Sequence, residues 1–199
     1  VYKRQGLEQT RYFLLREVPF GNDGDFSVRS MVHRMNGDLA NDLGNLAQRV
    51  LSFVAKYAGG AVPAPSDLTR PDHAMLAAAE GLLARLRYHY DAQAFHRALE
   101  ETWEVVGAAN RYVDEQAPWT LRKTDPARMA TVLYTLMETL RHLAILTQPV
   151  MPTAMGQMLD QLGVDAAARD FTALGAAGAL AAGTALPAPA GIFPRFVEG

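Results

Sequence analysis

Apolar residues recur along this chain three and four positions apart, the spacing of one helix face and not the strict alternation of a half-buried strand. The longest run joins Val28, Val32, Met35, Leu39, Leu43, Leu46, Val50, Val54 and Tyr57, and it predicts one long amphipathic helix. Ser27 stands where its side chain can accept from the free N–H groups of a first turn. Gly59-Gly60 supplies residues that turn left-handed at a helix end. A shorter pattern precedes this run from Leu7 to Arg16, with Tyr12, Phe13, Leu14 and Leu15. Val18-Pro19 closes it, because a residue before proline is steered out of the α region. The opening Val1 to Gly6 carries no helical pattern, and Gly21-Asn22-Asp23-Gly24-Asp25 reads as a polar turn.

Four further helices follow. One starts near Asp72 with the stripe Met75, Ala79, Leu82, Leu83 and Leu86. After a break near Asp91 comes a second, with Phe95, Leu99, Val106, Ala109 and Val113 on one side, and Pro118 ends it by lacking an N–H. A third begins at Asp125-Pro126, an N-cap followed by proline at the first helical position, with the stripe Met129, Val132, Leu136, Leu140 and Leu143. The last is short, from Pro152 to Gly163. The expected fold is all-α, a helical bundle with one long member. Residues 1–27 form a connector, 28–163 the bundle, and 164–199 an Ala/Gly/Pro-rich strap. Leu174, Leu180, Leu186 and the closing Ile192-Phe193-Pro194-Arg195-Phe196 predict that this irregular tail docks back on the body.

Composition narrows the classes. With 199 residues and 49% of them hydrophobic, the chain buries a real core, at roughly 70% of its unfolded surface, and general disorder is excluded. No apolar run of about 18 residues is present, which excludes a membrane span. The absence of Cys removes disulfides, thiol catalysis and Cys-ligated zinc, and is compatible with a reducing cytoplasm. Nineteen Lys and Arg against twenty-one Asp and Glu leave a net charge of −2. That balance disfavours a generic polyanion binder, whose affinity rests on surplus cations. The start on Val1, without a basic-then-apolar leader, reads as a chain with no signal peptide and as a fragment of something longer.

Candidate chemistry is sparse. There is no Gly-rich phosphate loop and no Gly-x-Ser-x-Gly elbow. The five His show no His-Glu-x-x-His spacing and read as surface or half-buried, and Glu100, Glu101 and Glu104, with no matching motif on another helix, read as a solvated face. Two features stand out. Asn45 and Arg49 lie four apart, off the apolar stripe of the long helix, and are neighbours on its surface. Their fork-shaped hydrogen-bonding groups suit the edge of a base, although such a pair is also ordinary helix surface. In Ala117-Pro118-Trp119 a large flat indole follows a helix-breaking proline. It reads either as a buried hinge aromatic or as a platform on which a base stacks. Arg111, Arg122, Lys123 and Arg128 give this corner a basic excess that the net charge conceals.

Three blocks carry a family resemblance: Arg11-Tyr12-Phe13-Leu14-Leu15-Arg16-Glu17 with Pro19-Phe20-Gly21 and Asp23-Gly24-Asp25-Phe26-Ser27; Asn36 to Leu46, containing Asn-Asp-Leu-Gly-Asn; and Asn110 to Trp119, ending in Pro-Trp. Together with the terminal Ile192-Phe193-Pro194-Arg195 they resemble the C-terminal part of bacterial methionyl-tRNA synthetases, class I aminoacyl-tRNA synthetases. The resemblance implies an α-helical anticodon-binding domain, preceded by a catalytic domain to which 1–27 connects. It also implies that Asn45 and Arg49 hydrogen-bond an anticodon base, that Trp119 stacks on splayed-out bases, and that Pro118 shapes the corner. Single-stranded RNA is read in this way. The implied partners are tRNA with the methionine anticodon and the chain's own N-terminal catalytic domain, in the cytoplasm and away from membranes. The family's His-x-Gly-His and Lys-Met-Ser-Lys-Ser motifs, which bind ATP, are not in this sequence. ATP with Mg is therefore implied for the full-length enzyme, no cofactor for this chain, and no aminoacylation by this chain alone. The alternatives are the equivalent domain of a Leu, Ile, Val or Cys synthetase, and a non-catalytic helical interaction module.

Overall fold

The computed structural model describes residues 6–24 and 26–196. Val1 to Gln5 of the unpatterned opening and Asp25 of the polar turn lie outside that range. Nine α-helices are described: α1 (Leu7–Glu17), α2 (Val28–Arg34), α3 (Asn45–Tyr57), α4 (Arg70–Glu80), α5 (Leu82–Asp91), α6 (Phe95–Gln116), α7 (Pro118–Thr124), α8 (Pro126–Thr147) and α9 (Pro152–Gln161). A π-helical segment, Met35–Gly44, joins α2 to α3, and three short 3-10 turns follow α9. No strand occurs among the described residues, only an isolated bridge between Ala61 and Ala185.

The run from Val28 to Tyr57 is helical throughout, yet its winding changes twice. Met31, Met35, Leu39 and Leu43 are buried, while Val28, expected at the head of the stripe, is exposed. These four residues are spaced by four, a step that drifts around a 3.6-residue helix but stays aligned on a wider turn. Two side chains of α6 occupy carbonyls inside the wide segment: Trp103 Nε1 donates to the Asp38 carbonyl at 3.1 Å and Asn110 Nδ2 to the Asp42 carbonyl at 3.3 Å. Insertion of side chains into the carbonyl ladder is a known cause of such local rewinding. The segment ends at Gly44, where an added Cβ would stand 2.9 Å from the Leu39 carbonyl oxygen and 3.5 Å from Phe193.

α8 is the centre of the bundle and is buried on nearly every side, Thr131, Thr135, Thr139, Glu138, Arg141 and His142 included. Its threonines satisfy their hydroxyls on the carbonyl four residues back, as Thr135 and Thr139 do at 2.9 Å. The buried ionic groups hold the strap. Arg141 grips Glu138 Oε2 with two N–H groups and donates to the carbonyls of Ala173 at 2.6 Å and Gly175 at 3.1 Å. Glu138 Oε1 accepts from the Leu180 N–H, and His142 Nε2 accepts from the Gly175 N–H at 3.0 Å. Further on, the strap lies against the loop after α3, with Val62 N–H donating to the Thr184 carbonyl and Leu186 N–H to that of Gly60. It finishes with Ile192 and Phe193 buried and Phe196 paired through its backbone to Asn36 of the π segment.

Two other boundaries differ from expectation. The helix predicted to start near Asp72 divides at Gly81 into α4 and α5. Pro118 does not simply stop a helix: it opens α7, seven residues long, which ends at the cap of α8.

Candidate nucleic-acid interface

The corner that presents Trp119 follows from local stereochemistry. Pro118 steers Ala117 out of the right-handed α region, and Ala117 takes φ 44°, ψ 61°. A left-handed non-glycine residue costs on the order of 1 kcal/mol or more and persists only where its surroundings hold it. Pro118 is buried beneath the turn as the first residue of α7, and Trp119 is thrown outward, 44% exposed.

Arg128, at the start of α8, closes the ends of α7 onto one residue. Its backbone N–H donates to Asp125 Oδ1 at 3.0 Å behind the helix, and its guanidinium donates to Gln116 Oε1 at 2.6 Å in front. The same guanidinium forks onto Asp72, with N–O distances of 2.5 and 2.8 Å. Asp72 is fully buried and also accepts from the Tyr112 hydroxyl and from Thr69. Burial opposes ionisation of this carboxyl, but the hydrogen bonds from Arg128, Tyr112 and Thr69 outweigh it and hold the pKa down to about 2. Burial, and then the bond to Asp72, pushes the Tyr112 phenol well above its usual value.

Opposite the corner lies α3. Arg49 carries its guanidinium 5.7 Å from the centre of the Trp119 ring and donates to Asp114 at 2.6 Å. Arg49, Phe53, Pro118 and Trp119 line one cavity of about 130 Å³, floored by Val50, Val113 and Leu133. Arg49, Pro118 and Trp119 are thus brought together. Asn45, exposed and one turn earlier on α3, lines a separate groove of about 570 Å³ with Asn41, Gln48 and, from the strap, Phe193 and Arg195. The two cavities share no lining residue: Asn45 and Arg49, one turn apart on α3, stand one in each.

The basic excess is smaller than the sequence suggests, and differently placed. Arg128 is consumed by Asp72, and Arg111 faces a groove between α4 and α6 with Pro71 and Glu115. Arg122 remains at the corner, its guanidinium 4.2 Å from the ring centre of Tyr57. The sequence reading also missed Asp114, Phe53 and Gln48. Phe53 was detectable as the next member of the i, i+4 row after Asn45 and Arg49; Asp114 carried no comparable signal.

The chain resembles known proteins along its length. The family described as the anticodon binding domain of methionyl tRNA ligase matches residues 62–198, and that of class I tRNA synthetases of the methionine type matches residues 1–51. A methionine–tRNA ligase of Mycobacterium leprae is 53% identical over 195 residues, 96% of this chain and 36% of the relative. One from Mesorhizobium japonicum is 52% identical over 193 residues, 97% of this chain and 37% of the relative. The chain therefore spans little more than a third of the length of the relatives it matches. Among solved structures, apo Mycobacterium tuberculosis methionyl-tRNA synthetase superimposes with a TM-score of 0.96 at 51% identity, covering 100% of this chain and 40% of that one. The same enzyme in complex with methionyl-adenylate gives 0.94 at 52% identity, covering 98% and 38%. A helical fold with a left-handed hinge ahead of a presented indole, matched by sequence and by structure over almost all its length, belongs to the anticodon-binding domain family of methionyl-tRNA ligase.

Proposed function

We propose that this chain reads the anticodon of methionine tRNA as the RNA-recognition part of a cytoplasmic methionine–tRNA ligase whose ATP-dependent chemistry resides in a catalytic domain outside these residues. Trp119 offers its face to an unstacked base, Arg49 and Asn45 bring hydrogen-bonding forks to base edges, and Pro118 sets the corner. The observation that carries this reading is the half-exposed Trp119 ring, anchored by the Arg128 bonds around α7 and faced by a guanidinium. A purely structural indole would be buried, and a free surface indole would not be braced. No residue here is assigned to ATP, since the sequence holds no phosphate-binding loop. In trans, the test is a titration of the chain with labelled RNA hairpins carrying the methionine, isoleucine or valine anticodon at two salt concentrations. The methionine hairpin is expected to bind most tightly. Equal affinity for all three would transfer the domain to a less selective role, and no affinity for any would leave a protein-interaction module.

A further inference from the structure

We propose that Tyr57, Arg122 and Lys56 form a phosphodiester subsite of the RNA, next to the base platform at Trp119. Tyr57 continues the row Asn45, Arg49, Phe53 along α3, eight residues beyond Arg49, or roughly 12 Å at 1.5 Å per residue. Phe53 links the two positions: it lines the Trp119 cavity, and its ring centre is 4.6 Å from that of Tyr57. Two cations from different elements converge on the Tyr57 ring. The Arg122 guanidinium, from α7, lies 4.2 Å from the ring centre and the Lys56 ammonium, from α3, lies 5.2 Å from it.

These charges differ from the others near the corner. Arg49 is paired with Asp114, and Arg128 with Asp72. Among the described residues neither Lys56 nor Arg122 forms an ion pair with a carboxylate. The Tyr57 phenol is drawn below its ordinary value, first by hydrogen bonding to Lys56 and then by the charges of Lys56 and Arg122. A chain of net charge −2 has no general attraction for a polyanion, so an unneutralised pair one or two nucleotides from the base contacts is where a phosphate is held. Arg and Lys stacked on a ring keep their outer N–H groups free to donate to phosphate oxygens. Base contacts would then give choice of sequence, and this pair would give register on the backbone.

The inference rests on the anticodon reading above, and the salt dependence of binding separates the two. For single strands, the logarithm of affinity falls against the logarithm of salt with a slope of about −0.7 for each phosphate neutralised. The doubly substituted Lys56→Gln, Arg122→Gln chain, titrated with the methionine-anticodon hairpin across a salt series, is expected to lose roughly 0.7 from the magnitude of that slope, the share of the one phosphate held. Lys56→Arg with Arg122→Lys should retain the parental slope. Trp119→Ala should weaken binding at every salt concentration and leave the slope alone. A parental slope in the doubly neutral chain, with Trp119→Ala still weakened, overturns the phosphate subsite and spares the anticodon reading. Absence of hairpin binding by the parental chain overturns both. A melting profile of each variant, expected to match the parent because these side chains are at the surface, excludes unfolding as the source of any change.

Discussion

The chain has two tryptophans, and their surroundings divide the work of the ring. Trp103 turns its N–H to the Asp38 carbonyl and packs 4.6 Å from Tyr12, so its hydrogen bond and its face are both spent inside the protein. Trp119 is 44% exposed, with the Arg49 guanidinium 5.7 Å from its ring centre and the buried Pro118 beside it. Trp119→Ala is expected to cost about 1–3 kcal/mol of RNA hairpin affinity, measured by fluorescence anisotropy, with an unchanged thermal midpoint. Asn45, Arg49, Pro118 and Trp119, the residues proposed for the RNA site, could be singled out in the sequence for a physical reason: polar, helix-breaking or large aromatic groups off the stripe stand out against a periodic apolar background. The fate of charges was not legible. Arg128 reads as one more cation of the corner until Asp72, 56 residues earlier, proves to lie against it. Lys56, two turns past Arg49, is singled out by nothing in the sequence and gains a context only from Tyr57 and Arg122.

α7 is too short to announce itself by periodicity, since seven residues make only two turns. Its ends did leave signals, a proline at each first helical position and Asp125 as a cap, but the bond that joins those ends comes from a third place in the chain. The Asp72–Arg128 pair is therefore a support for the platform as well as for α4. Asp72 ionises at about 2 in the folded chain against 3.8 for a free carboxyl. A lowered carboxyl pKa contributes stability that is complete above the unfolded value and is lost as pH falls through the folded one. At about 1.4 kcal/mol per pKa unit the contribution is about 2–3 kcal/mol. Chemical denaturation across pH 5 to 2 is expected to show this loss between about pH 4 and pH 2. Asp72→Asn should be less stable at neutral pH and have a shallower decline over that interval. The helices that present a polar face were readable; α8, buried all round, was readable only as a stripe, because the strap that covers its other sides has no periodicity.

Strap and bundle are joined through a polar core, which makes their union sensitive to acidity. Burial, with the Arg141 charge adding to it, lowers the His142 pKa below 6.5, and the neutral ring both donates to the Glu138 carbonyl and accepts from the Gly175 N–H. Protonation would replace the accepting lone pair with a second N–H. Because the folded pKa is the lower one, this contribution is complete above about 6.5 and declines as pH falls below it. Amide exchange at Gly175 and Leu180, corrected for the intrinsic rate, is expected to accelerate between pH 7.5 and 5.5 and to do so less in His142→Gln. The docked tail was foreseen from its scattered Leu and terminal aromatics; the ionic cluster that holds it was not, since Glu138, Arg141 and His142 look like an ordinary solvated face. The rewound segment Met35–Gly44 has a further consequence. In a regular α-helix, adding or removing one residue swings everything downstream by about 100°, which would carry Asn45 and Arg49 away from Trp119. The wider turn of this stretch therefore sets, like a vernier between two rods, the azimuth at which α3 carries Arg49 to Trp119.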